Sequence, residues 1–165
     1  MMKFRSVKIL MLMLGIFLIG ACSNSGAIEV GKKAVEFTLN DINGNRVAFA
    51  DYSGKVVVLD FFADWCPPCR QEVPDFIELE KQYGGQGFSM IGVALVDRNA
   101  AKAFSDKMGI NYPILVDDGN VSAAYGPIRS IPTTFVIDRE GKIRKVYIGY
   151  KAKDVFEKDI KELLK

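Results

Sequence analysis

The stretch Val56-Val57-Val58-Leu59-Asp60-Phe61-Phe62-Ala63-Asp64-Trp65-Cys66-Pro67-Pro68-Cys69 decides the fold. It opens as a continuous β-rich run, as expected of a central strand buried on both faces. It closes on two thiols three residues apart, and a segment of helical character follows. A strand therefore delivers Cys66 to the surface, and a helix beginning at the motif turns its positive end toward the sulfur. The helix dipole and the free N–H groups of the first turn both favour thiolate over thiol. Such a pair suits a disulfide that is made and broken repeatedly rather than one that staples a fold.

Other uses of two cysteines fit less well. Structural zinc takes four ligands from Cys and His, usually as two pairs. The chain has no His, and its only other cysteine, Cys22, lies far away at the end of a hydrophobic leader. Copper sites normally call on imidazole as well. A disulfide across three residues closes too small a loop to remove much chain entropy, so it would stabilise only weakly. Redox exchange is the favoured reading, with no metal and no organic cofactor required.

Lys3, Arg5 and Lys8 precede an apolar run from Ile9 to Ile19 that ends in Gly20-Ala21-Cys22. A basic start, a short apolar stretch and small residues describe a secretory signal peptide. The run is shorter than the roughly 20 apolar residues that span a bilayer. Ile19-Gly20-Ala21-Cys22 resembles the bacterial lipobox, in which cleavage leaves an N-terminal Cys carrying lipid. The expectation is a leader over 1–21, a tether over 22–33 lipidated on Cys22, and one domain over 34–165. Ser23-Asn24-Ser25-Gly26 suits a flexible tether. The protein is thus expected outside the cytoplasm, held to a bacterial membrane by lipid and facing the periplasm or the cell surface. Without the three leader cations, 19 of the 22 basic residues remain against 20 acidic ones. A near-neutral domain carries no electrostatic case for nucleic acid. With Cys22 given to lipid, no cysteine is left for a structural disulfide.

Glu36 to Leu39 and Arg46 to Phe49 flank Asp41-Ile42-Asn43-Gly44-Asn45, whose Asn-Gly is a hairpin signal. The helix after the motif is predicted over Pro67 to Tyr83, with Val73, Phe76, Ile77, Leu79 and Tyr83 inward and a kink at Pro74. Phe88 to Val96 reads as a second buried strand and Ala100 to Met108 as a helix. Tyr112 to Val116 is a further short strand, followed by a helical piece near Val121 to Tyr125. Thr133 to Ile137 and Ile143 to Ile148 form a second hairpin around Asp138-Arg139-Glu140-Gly141-Lys142. The closing segment places Val155, Phe156, Ile160, Leu163 and Leu164 on one helical face. A βαβ start and a hairpin–helix finish give an α/β domain, a mixed sheet with helices on both faces.

With its elements in this order the chain resembles the thioredoxin superfamily. More narrowly, it resembles membrane-anchored thiol-disulfide oxidoreductases of the TlpA/ResA type, including those serving cytochrome c maturation. The likeness runs from about Gly31 to Lys165 and is most specific over Phe61 to Pro74 and in Ser130-Ile131-Pro132-Thr133-Thr134-Phe135. The N-terminal hairpin and the inserted αβ element around Ala100 to Val116 are what this group adds to plain thioredoxin. The resemblance implies that Cys66 is the exposed nucleophile and Cys69 the resolving thiol. It implies that Ile131-Pro132 is a cis-proline step facing the disulfide, where backbone can pair with an extended substrate. Trp65, Pro67 and Pro68 join Ile131 and Pro132 as expected substrate-facing residues. Asp60 matches the buried acid of thioredoxin, and Glu72 an acid found near the site in ResA-type proteins. A carboxyl buried beneath the motif should hold its proton to higher pH and so exchange it with Cys69. Asp60 is the first choice for that role and Glu72 the second, the alternative for Glu72 being a structural place on the helix surface. Having both acids departs from most relatives, and the strand Phe88 to Val96 lacks the lysine that accompanies the acid in thioredoxin.

The implied function is reduction of disulfides in exported proteins, apocytochrome c being the leading client, with a membrane electron donor restoring the dithiol. Pro67-Pro68 and Ile131 before Pro132 look more like reducing relatives than strong oxidants. Rival readings are a disulfide oxidase or isomerase, a peroxiredoxin-like peroxidase and a non-catalytic binding lipoprotein. No Thr-containing peroxidatic motif is found for the peroxidase.

Overall fold

The computed structural model describes residues 29–126 and 128–165; the expected leader, Cys22 and the Ser23–Gly26 stretch lie outside the described residues. In chain order the main elements are β1 (Thr38–Asp41), β2 (Arg46–Ala48), a 3-10 turn (Phe49–Tyr52), β3 (Val56–Phe62), α1 (Pro67–Tyr83), β4 (Phe88–Ala94) and α2 (Arg98–Met108). There follow β5 (Ile114–Val116), α3 (Asn120–Ala124), β6 (Thr133–Ile137), β7 (Ile143–Ile148) and α4 (Lys153–Leu164). The strands make one mixed sheet in the order β2-β1-β5-β4-β3-β6-β7. β3, β4 and β5 are parallel, while β6, β7, β1 and β2 join antiparallel.

Every residue of β3 is buried, because the strand lies mid-sheet with a core layer on each face. Val56, Val58 and Phe62 pack with Val73, Phe76 and Leu79 of α1, Phe104 of α2 and Phe156 and Ile160 of α4. Val57, Leu59 and Phe61 point the other way, against Phe49, Val121, Tyr125 and Phe135. Helices therefore flank both faces, but unequally. Both parallel crossovers step the same way across the sheet, which puts α1 and α2 on one face. The opposite face is closed by the short α3, the 3-10 turn and the N-terminal arm.

Several boundaries differ from the sequence expectation for local reasons. α2 starts at Arg98 rather than Ala100, since the Asp97 side chain caps it by accepting from the Asn99 and Ala100 amides. β1 is displaced to Thr38–Asp41 because it pairs with β5 as well as with β2. α1 runs unbroken through Pro74, which sits on its exposed side. The arm begins to pair before residue 34: the Gly31 amide donates to the Ile143 carbonyl at 2.7 Å and the Ala34 amide to Gly141 at 2.9 Å.

Antiparallel pairing of β3 with β6 sets Phe61 opposite Thr133. The chain leaving β3 and the chain entering β6 therefore meet at one end of the sheet. Cys66 follows the first and Pro132 precedes the second.

Candidate active site

Cys66 is the N-cap of α1 and has extended backbone, so the helix begins directly behind its sulfur. The Cys69 amide donates to Cys66 Sγ at 3.3 Å, and Pro67 and Pro68 fill the first turn, where no N–H is needed. No acidic residue stands in that turn to oppose the helix dipole. Cys66 and Cys69 are joined in a disulfide with Cα atoms 5.3 Å apart, and both are buried. The Ile131–Pro132 peptide bond is cis, and the Ile131 carbonyl oxygen stands 3.6 Å from Cys66 Sγ. Trp65 is 69 % exposed, which places it on the rim of the site rather than in the core.

Asp60 is the one acid on β3. It sits between Gly92 of β4 and Thr134 of β6, and the Thr134 hydroxyl donates to its Oδ1 at 2.9 Å. Burial, and next the charge of Glu72, raise its pKa well above the usual carboxylate range, against the Thr134 hydrogen bond. Glu72 is not on the helix surface. It is fully buried, because three residues after Cys69 it falls in the inward stripe of α1 with Val73 and Phe76. Its Oε1 accepts the Lys151 backbone amide at 2.6 Å, while Oε2 is the one buried side-chain polar atom without a partner among the described residues. Burial raises Glu72 to about 7, although the Lys151 amide and ammonium pull the other way. Tyr112 is also buried and its pKa is pushed up, first by burial and then by the charges of Asp60 and Glu72.

The sequence-predicted residues thus gather at one pole: Cys66 and Cys69 on α1, Ile131 and Pro132 before β6, Trp65, Pro67 and Pro68 at the mouth, and Asp60 and Glu72 in the gap between α1 and the sheet. Thr134 lies in the Ser130–Phe135 stretch that carries the resemblance but is not among the expected site residues, and neither are three further residues. Lys151 acts through its backbone amide, which leaves no side-chain signature. Ile148 and Tyr150 are 64 % and 37 % exposed, and the Gly149 amide between them donates to the Pro132 carbonyl at 2.8 Å. They add an apolar edge beside the proline step.

A reversible dithiol at the start of a helix, on a sheet of this order and facing a cis-proline, defines a thioredoxin-fold thiol-disulfide oxidoreductase. The chain belongs to the AhpC/TSA family, whose profile matches residues 30–146. It is similar to the thiol-disulfide oxidoreductase ResA of Geobacillus thermodenitrificans, with 36 % identity covering 84 % of this chain and 78 % of that one. The thioredoxin-like protein YneN of Bacillus subtilis is 33 % identical over 81 % of this chain and 79 % of its own length. Among solved structures, a thiol:disulfide interchange protein of the thioredoxin family from Chlorobium tepidum TLS matches with a TM-score of 0.77. It is 32 % identical, and the match covers 84 % of this chain and all of that one.

Proposed function

We propose that the protein reduces disulfides in exported proteins, with Cys66 as nucleophile and Cys69 as resolving thiol. The observation that carries this reading is the Cys66–Cys69 disulfide at the start of α1 with the Ile131 carbonyl 3.6 Å from Cys66 Sγ, on a fold that also buries Asp60 of β3 and Glu72 of α1. In the reduced protein the Cys66 thiolate attacks one sulfur of a client disulfide. A mixed disulfide forms and the client's other sulfur leaves as thiolate, taking a proton from solvent. Cys69 gives its proton to a buried carboxylate and attacks Cys66 Sγ, so the second client sulfur departs and Cys66–Cys69 is left oxidised. Glu72 is the better acceptor for that proton. A value of about 7 makes it basic enough to accept and acidic enough to be charged beforehand. Burial and the Glu72 charge push Asp60 toward its protonated form.

Trp65, Pro67, Pro68, Ile131 and Pro132 form the client-facing surface in this reading. A leader over 1–21 and lipid on Cys22 would hold the domain outside the cytoplasm on a bacterial membrane, where a membrane dithiol donor re-reduces it. The relatives named ResA support an exported setting, and haem-site cysteines of apocytochrome c are the favoured client. No described helix is long and apolar enough to cross a membrane.

Equilibration with glutathione tests the direction. A reduction potential well below the about −120 mV of strong oxidants supports a reductase, and a value near it rejects one. Cys69→Ser should trap clients as mixed disulfides on Cys66, and their identity tests the apocytochrome assignment.

A further inference from the structure

The segment Ile148–Lys151 links β7 to the start of α4 and carries the exposed apolar edge beside Pro132. Most of what holds it is local. Ile148 pairs with Thr133, the Gly149 amide donates to Pro132, and the Lys151 ammonium donates to the Ile148 and Tyr150 carbonyls at 3.2 Å each. One hydrogen bond among the described residues ties this loop to the dithiol helix, from the Lys151 amide to Glu72 Oε1 at 2.6 Å. Glu72 spends only that oxygen, since Oε2 is buried without a partner. The two oxygens of one carboxyl therefore face two separate tasks.

We propose that Glu72 is a positioning residue for client binding: its Oε1 pins the Ile148–Lys151 loop to α1, setting Ile148 and Tyr150 beside the Ile131–Pro132 step to receive the apolar chain that flanks a client's cysteine. The occupant follows from the chemistry. A protein disulfide presented to Cys66 brings its neighbouring residues across the Ile131–Pro132 step, and the loop is bound directly to that step. The inference rests on the exchange reading above but assigns Glu72 a task apart from proton transfer. The other ionisable groups around Glu72 are Asp60 on β3, Asp75 on α1, Tyr112 before β5 and Lys151 itself. Among these, Lys151 alone belongs to the loop.

Two substitutions separate the tasks. Glu72→Gln keeps an acceptor for the Lys151 amide but cannot take the Cys69 proton. Glu72→Ala removes both. The probes are a disulfide-bonded peptide with leucine beside its cysteine and hydroxyethyl disulfide, which has no chain to reach the loop. Glu72→Ala should lower kcat/KM for the peptide about tenfold more than for hydroxyethyl disulfide, the effect of losing a hydrogen bond to a charged group. Glu72→Gln should change kcat/KM for the two probes by the same factor within about twofold, while flattening the pH dependence of kcat. Exchange of the Lys151 amide with deuterium should be at least about tenfold faster in Glu72→Ala than in wild type and unchanged in Glu72→Gln. An equal peptide-to-hydroxyethyl-disulfide ratio of kcat/KM in both variants, or an equally protected Lys151 amide, overturns the proposal. If wild type reduces neither probe, the exchange reading fails, while the deuterium comparison still decides the anchor. Should Glu72→Ala not fold, Glu72→Met fills similar volume without a strong acceptor and makes the same cut.

Discussion

Glu72→Gln should make the oxidised protein more stable, and increasingly so as pH rises. An acid that binds its proton more tightly in the folded than in the unfolded chain imposes no cost while it is protonated in both. The fold is therefore at full strength below the unfolded value of 4.5 and loses stability as pH climbs through the folded value of about 7. Above that point the full difference applies, roughly 3 kcal/mol at about 1.4 kcal/mol per decade. Near pH 5 less than about 1 kcal/mol of it has appeared. Glutamine mimics the protonated acid at every pH, so the gap between variant and wild type should widen by roughly 2–3 kcal/mol from pH 5 to pH 8.5. Urea unfolding at the two pH values reads this directly, with Cys66–Cys69 kept oxidised so that no thiol titrates. A constant offset between amide and acid cancels in the comparison. Parallel stability curves for the two proteins would refute the reasoning, because they would mean that Glu72 ionises as easily in the fold as in the unfolded chain.

Trp65→Ala should change the urea midpoint by less than about 0.5 kcal/mol, since Trp65 is mostly exposed, and should slow reduction of a peptide disulfide; a core-sized loss of stability would count against the rim assignment. Gly92→Ala should cost about 1–3 kcal/mol by overpacking, because a Cβ there meets Ile114 Cδ1 at 2.6 Å and Phe62 Cε1 at 2.9 Å. An unchanged urea midpoint would contradict it. Thr134→Val removes the donor from Asp60 Oδ1, so the Asp60 pKa should move further up. Infrared difference spectra across pH should then show its carboxylic acid band persisting to higher pH than in wild type, and a downward move would reverse the inferred role of the hydroxyl.

The parts of the fold legible in the sequence are those specified by local pattern. β3, α1, β6 and β7 carry the bounds expected of them, because a fully apolar strand, a helix begun by Pro67-Pro68 and a hairpin around a Gly-containing turn each announce themselves within a few residues. The misses are long-range or hidden in backbone. The pairing of β1 with β5 depends on contacts far apart in the chain, which no hydropathy period encodes. Leu95 and Val96 extend the apolar run past the end of β4, yet they belong to the turn that leads to Asp97. Glu72 was among the expected proton partners, and Cys69, Glu72, Val73 and Phe76 share one helical face; hidden from the sequence is the Lys151 amide, which satisfies one oxygen of the buried carboxyl.

The charge of Glu72 raises the pKa of Asp60, so the two buried acids are electrostatically coupled, and this bears on which acid the mechanism uses. Glu72 has the Lys151 amide and ammonium favouring its charge, whereas Asp60 has the Thr134 hydroxyl alone. The charged form is thus better supported at Glu72 than at Asp60, which favours Glu72 as the proton acceptor in the exchange proposed above. In that exchange Glu72 would lose its charge on taking the Cys69 proton, which would relieve the repulsion on Asp60. The position opposite Asp60 on β4 is Gly92, where Phe62 and Ile114 fill the space of a side chain and leave no room for a lysine. A neighbouring cation would favour the Asp60 carboxylate; with no cation on β4 and the Glu72 charge nearby, Asp60 is pushed toward its protonated form instead.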